Sequence, residues 1–238
     1  MQNEGAIRIS GSRSFKVLPG SRNEQPPAAN GGLWKIVKDA LPLARDREVN
    51  IYRLKNFVNI WRGLRTLLLH ALLRPLGVQR PIYGSVYATV LRGDGSIVRL
   101  GLISLRVVTD TGVQYLVDCL QNLQEPENLK FHGYGTGTTA EAASQTALVT
   151  ELTTEYATDN TRPTGSLTEG ASANIFRSVA TLSPDGAGTL AITEHAVLSQ
   201  AATGGGTMVD RSVFAAINLT RGSDSLQTTY DLTLPSGS

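Results

Sequence analysis

Three histidines, one cysteine and two glycine-bearing motifs are where this sequence has the residue types for chemistry. His70, His132 and His195 stand far apart, and none lies at metal-ligand spacing from another or from Cys119, so there is no zinc pattern. Glu194-His195 follows the β-branched pair Ile192-Thr193 and precedes Ser199, which on paper supplies an acid, a base and a nucleophile. No G-x-S-x-G elbow supports that arrangement, and a hydrogen-bonded structural histidine is the expectation for His195. The run Gly133-Tyr134-Gly135-Thr136-Gly137-Thr138-Thr139 suggests a phosphate cradle. It lacks the Lys-Ser/Thr end of a P-loop and the spacing of the dinucleotide fingerprint, so a glycine-kinked strand or tight loop is expected. Arg92-Gly93-Asp94 matches an adhesion tripeptide, but Asp94-Gly95 between two apolar runs is a hairpin turn signal. Cys119, beside Tyr115, Leu116, Val117 and Leu120, reads as a buried, inert thiol, and Glu151 and Glu155 as solvated or interface charges. The expectation is therefore a protein that is not an enzyme, with no cofactor and no metal.

The elements that position these residues divide at about residue 80. Residues 1–32 carry two Ser-Arg pairs, Pro26-Pro27 and Asn30-Gly31-Gly32, with too few apolar residues for a core, and read as an extended basic arm. Residues 33–48 predict a short helix ending near Pro42. From about 49 to 74 the helical signal is strongest: Ile51, Leu54, Val58, Trp61, Leu64, Leu68 and Leu72 recur every three or four residues as one apolar stripe. Pro75 ends it. The C-terminal turns (Leu67, Leu68, Leu69, Ala71, Leu72, Leu73) are apolar nearly all round and are expected to be buried on several sides. Arg53, Lys55, Arg62 and Arg65 decorate the other faces. Such a helix suits three partners: nucleic acid through its cations, a membrane through its stripe, or a groove of another protein. The wide, continuous stripe favours protein, with Trp34, Phe57 and Trp61 as anchors and Arg53, Arg62 and Arg65 fixing orientation.

Beyond residue 80 the pattern shifts to period two. Residues 82–91 and 97–108 predict a hairpin, and 109–121 a short helix capped by Asp110 or Thr111. Further strands are expected over 129–135, 147–154, 173–182, 188–199, 212–220 and 227–234, divided by Gly, Pro and Asp breakers. The fold class expected is mainly β: an antiparallel β-sandwich, jelly-roll or immunoglobulin-like, with a basic N-terminal arm and one long amphipathic helix. The organisation expected is arm plus helix over 1–80 and a sandwich domain over 81–238, with the short helix near 110–121.

Charge follows the same division. Residues 1–100 hold 16 Lys/Arg against 6 Asp/Glu, whereas residues 101–238 hold 6 against 14. This asymmetry gives the basic segment a partner of its own, or sets it against the acidic half of the same subunit or a neighbour. MQNEGAIRIS has neither the basic nor the apolar region of a signal peptide, and no apolar run approaches the roughly 20 residues of a membrane span. Synthesis in the cytosol is expected, where the protein stays soluble or joins an assembly.

Residues 97–234 also carry a family resemblance. Leu100-Gly101-Leu102-Ile103-Ser104-Leu105-Arg106-Val107-Val108-Thr109, Phe131-His132-Gly133-Tyr134-Gly135-Thr136-Gly137-Thr138-Thr139-Ala140-Glu141-Ala142, Ala147-Leu148-Val149-Thr150-Glu151-Leu152, Ile192-Thr193-Glu194-His195, Asp210-Arg211-Ser212-Val213-Phe214 and Tyr230-Asp231-Leu232-Thr233-Leu234 together resemble a family of virion structural proteins of tailed bacteriophages. The resemblance implies a place in the virion, made in the bacterial cytoplasm, with other virion proteins as partners and a homo-oligomeric state. It leaves residues 1–80 uncovered. A capsid decoration or cement protein, bound to the major capsid protein through arm and helix, is the role it best suits. A tail, collar or fibre-attachment component and a nucleic-acid-binding protein of the virion interior are the alternatives.

Overall fold

The computed structural model describes residues 46–235 except Arg80, Thr158 and Ala171, and upstream of these Ile36, Asp39, Leu41, Pro42 and Ala44. The expected arm and Trp34 lie outside the described residues, and of the helix expected over 33–48 Ile36 and Asp39 are helical.

The long helix, α1 (Arg47–Leu73), starts where Asp46 accepts hydrogen bonds from the amides of Glu48 (2.7 Å) and Val49 (3.4 Å). It ends in a 3₁₀ turn at Pro75, closed by Gly77 with φ 84°, so the proline acts as expected. β1 (Tyr83–Leu91) and β2 (Ile97–Val107) form the expected hairpin. Gly95 takes φ 86° at its tip, and Asp94 accepts from the Ser96 amide at 2.8 Å. Then follow α2 (Asp110–Leu120), β3 (Phe131–Gly135), β4 (Ser166–Glu169), β5 (Ile175–Leu182), β6 (Thr189–Leu198), β7 (Met208–Thr220) and β8 (Ser225–Thr233). The cap of α2 is Thr109, whose hydroxyl accepts from Gly112 N, rather than Asp110 or Thr111.

Among the described residues the chain is mainly β, with two antiparallel sheets, the long helix α1 and the shorter α2. One sheet has the order β2-β1-β8-β5-β4 and the other β3-β6-β7. They share a core: Val86, Val90, Leu182, Leu226 and Tyr230 of the first meet Tyr134, Ile192, Val197, Phe214 and Ile217 of the second. Val49 and Tyr52 of α1 and Tyr115 of α2 belong to the same cluster.

α1 lies against the edge strands β2 and β7, and its inward polar side chains meet irregularities of both ladders. In the β1–β2 register, Leu100 and Ile103 are extra residues of β2, and Gly101 between them takes φ 79°. Arg53 Nε donates to the Leu100 carbonyl at 3.1 Å, and Asn56 Nδ2 to the Ile103 carbonyl at 2.6 Å. In β7, Phe214–Ala216 stand opposite the single residue Thr193 of β6, and the Ala215 amide donates to Asn56 Oδ1 at 2.9 Å. The fully buried Asn56 thus joins the edges of both sheets. Backbones close in further along: a methyl on Gly63 would overlap the Leu105 carbonyl, and Arg106 Nη1 donates to the Asn59 carbonyl at 2.6 Å. Bulges that would expose an edge are covered by the helix.

Three expectations are corrected. The segment 147–154 is not a strand but a loop with one bridge, Gly135 to Glu151, because the amides of Val149 and Thr150 turn to a buried carboxylate. β4 was not expected, and β7 begins at Met208 rather than 212. The last turns of α1 are not enclosed: Leu69 and Leu72 are exposed, Leu72 by 74%, since the helix there faces the sheet with Leu64 and Leu67 alone.

Candidate protein interface

The groups with chemical potential lie in the interior. Glu194 on β6 is fully buried and accepts five hydrogen bonds: from Gly137 N (3.0 Å), Val149 N (3.1 Å), Thr150 N (2.7 Å) and both Arg211 Nε (2.9 Å) and Nη2 (2.6 Å). The glycine motif after β3 is therefore a cradle whose anion is a side chain of the same protein. A Cβ at Gly135 or Gly137 would stand 2.5 Å from Glu194 Oε1, which is why glycines occupy both positions. Arg211 continues to the Thr139 carbonyl and Gln145 Oε1, both at 3.0 Å, tying the loop to β7.

His195, next along β6, shares a hydrogen bond with His132, 2.9 Å between Nε2 and Nδ1. His132 meets Ser178 Oγ at 2.9 Å and Thr228 Oγ1 at 3.2 Å. Burial pushes His132 down to about 3 and His195 well below the usual histidine range, the latter also through its neighbour. Both rings are fully enclosed, which gives a substrate no access to Nε2 or Nδ1, so the histidines stand as internal hydrogen-bonding groups. Asp210 on β7, with Ser212 donating to it at 3.1 Å, is pushed up to about 7, first by burial and further by Glu141.

Remaining buried charges are paired. Arg177 and Asp231, opposite one another on β5 and β8, form two bonds of 2.6 and 2.7 Å. Glu151, expected as a solvated or interface charge, instead holds the buried Arg162 at 2.5 and 2.9 Å. Arg92 of the tripeptide is engaged with Asp224 (3.0 Å) and Glu48 (3.2 Å), and the motif serves as a hairpin turn. Among the described residues, no group of His, Cys, Asp and Glu is placed to hold a metal ion, and no helix is long and apolar enough to cross a membrane.

The open chemistry is on α1. The expected stripe and the buried face turn out to be different sides of the helix. Val49, Tyr52, Asn56, Ile60, Gly63, Leu64 and Leu67 face the sheets, so of the stripe only Leu64 is buried. Ile51, Leu54, Val58 (62%), Trp61 (45%), Leu68 and Leu72 stay exposed. Phe57 and Trp61 stack one turn apart, ring centroids 6.0 Å and planes 22° from parallel. Arg62 and Arg65 are exposed beside them, and with Lys55 they form no salt bridge among the described residues. Of the residues singled out from sequence, Phe57, Trp61, Arg62 and Arg65 are thus brought together. Arg53 turns inward to Leu100 and also donates to the Leu41 carbonyl at 3.1 Å; burial lowers its pKa. Asn56, which joins the helix to both sheets, is one of three asparagines on α1 with Asn50 and Asn59, and nothing in the sequence sets it apart from them.

Comparison of the chain with protein-family models, with curated proteins and with solved structures finds no match.

Proposed function

We propose that this chain is a non-enzymatic structural protein of a virion: a capsid decoration or cement protein that docks on a phage head through its N-terminal segment and α1. One observation carries the reading. A helix fixed to the body at Arg53, Asn56 and Gly63 turns an apolar, basic face outward while the buried histidines and carboxylates of the interior are enclosed and each make at least one hydrogen bond within the chain. Exposed patches of this kind mark interaction sites, and a rigid mount lowers the ordering cost of docking. The two sheets, sharing one core, are read as the layers of a β-sandwich, which supplies the body that the helix presents. Neighbouring capsid subunits are the partners, and the stacked Phe57–Trp61 pair is the anchor.

The test is incorporation of Arg62→Glu with Arg65→Glu into particles, alongside a reconstruction of the intact particle. Loss of incorporation by a folded variant, with hundreds of wild-type copies over the head, is the expected result. Unchanged incorporation refutes docking through α1, and a few copies at one vertex or along the tail would assign a connector or fibre-attachment role instead. The unpaired Lys55, Arg62 and Arg65 are also what a nucleic-acid contact needs; that reading requires DNA affinity falling steeply with salt.

A further inference from the structure

The second helix also carries an uncovered apolar ridge, with charge of the opposite sign. Val113, Val117 and Leu120 lie on one face of α2 at steps of four and three, and all are exposed, Leu120 by 89%. No Lys or Arg occurs between Arg106 and Lys130, whereas Asp110, Asp118, Glu125 and Glu127 do. Among the described residues none of those four acids forms a salt bridge. α1 is the counterpart: from Arg47 to Leu73 its only acid is Glu48, which is engaged by Arg92.

We infer that the exposed face of α1 docks on the α2 face of a second copy of this chain, so that copies associate head to tail. The inference rests on the reading above only in taking α1 as a docking face, and it sets a second copy of this chain, in place of a capsid subunit, against that face. Pairing α1 with α1 sets Lys55, Arg62 and Arg65 against their own kind, and pairing α2 with α2 does the same for the acids. Pairing α1 with α2 buries two apolar ridges and joins unpaired cations to unpaired carboxylates. Phe57, Val58 and Trp61 on one copy then cover Val113, Val117 and Leu120 on the next. Because the two surfaces differ, the contact is heterologous: a pair of copies retains one free α1 face and one free α2 face, and assembly continues until a ring closes or a filament grows.

The experiment is sedimentation velocity of the full chain from about 1 to 100 µM, with far-UV circular dichroism to show that each variant is folded. Wild-type protein is expected to associate with rising concentration. Arg62→Glu with Arg65→Glu, and separately Asp118→Lys with Glu125→Lys, each shift association to roughly tenfold higher concentration or beyond. Mixed in equal amounts, the two variants recover wild-type association, because their swapped charges are again complementary. A variant that fails to fold is replaced by Lys55→Glu alone on α1 or Asp118→Lys alone on α2. A wild-type chain that stays monomeric, an α2 variant that associates like wild type, or a mixture that does not recover overturns the inference. If the chain is monomeric yet the α1 variant is still lost from particles, docking on a different protein stands and this contact does not.

Discussion

The joint at Asn56 allows the strongest quantitative test of how α1 is held. Its carboxamide donates to the Ile103 carbonyl and accepts from the Ala215 amide, in a site with no solvent exposure. Both backbone groups sit at ladder irregularities, so neither has its regular strand partner when the side chain is removed. Each buried backbone group left without a partner costs about 1–3 kcal/mol, which for the two puts Asn56→Ala at about 2–6 kcal/mol. Asn56→Leu keeps nearly the same volume and loses both bonds, so it is expected to fall in the same range. Asn56→Asp keeps the acceptor for Ala215 but sets a second oxygen against the Ile103 carbonyl. Its deficit should narrow as pH falls, because protonation restores a donor. Urea unfolding followed by circular dichroism and by tryptophan fluorescence measures all three. If Asn56→Leu loses less than about 1 kcal/mol, the joint is not what fixes the helix, and the argument from the bulges fails.

Four further outcomes follow from the interior and the surface. Asp210 is raised from 3.8 to about 7, so it contributes most below pH 4, and that contribution is lost as pH rises through 7. The full displacement corresponds to a ceiling of roughly 4 kcal/mol; Asp210→Asn should raise the unfolding midpoint at pH 8 and leave it unchanged near pH 4. The histidines act in the opposite direction: depressed in the fold, they hold stability above about pH 6.5 and release it as pH falls toward 3, so His132→Gln should flatten the acid limb by up to about 1.4 kcal/mol per pH unit. Glu194→Gln leaves Arg211 buried without its counter-charge and should cost about 3–5 kcal/mol in thermal or urea unfolding. Trp61→Ser should cost about 1–2 kcal/mol of stability, from the lost stack on Phe57 and the covered half of the ring, while weakening association and particle incorporation in a chain that still folds.

Local physics made much of this protein legible. Alternating β-branched residues and the Asp94-Gly95 turn marked the first hairpin, and spacing of three and four marked both helices within a few residues of their ends. The stacking of Phe57 on Trp61 is one helical turn, and Arg62 and Arg65 accompany it by the same periodicity, so this cluster could be named from spacing alone. Which side of α1 faces the body could not. The helix is apolar around much of its girth, and the choice was made by Asn56 and Gly63. An amide that fits two bulges and a glycine that permits backbone contact outweigh a richer apolar stripe. Glu194 in the sequence is likewise only an acid beside a histidine. Only the meeting of the Gly137 loop, the 149–150 segment and Arg211 from distant parts of the chain makes it an internal anion. The sequence by itself determined element types, turns and charge division, because these follow from neighbours a few residues apart. The tertiary structure decided which face is buried and which charges are paired, because those depend on partners tens to more than a hundred residues away.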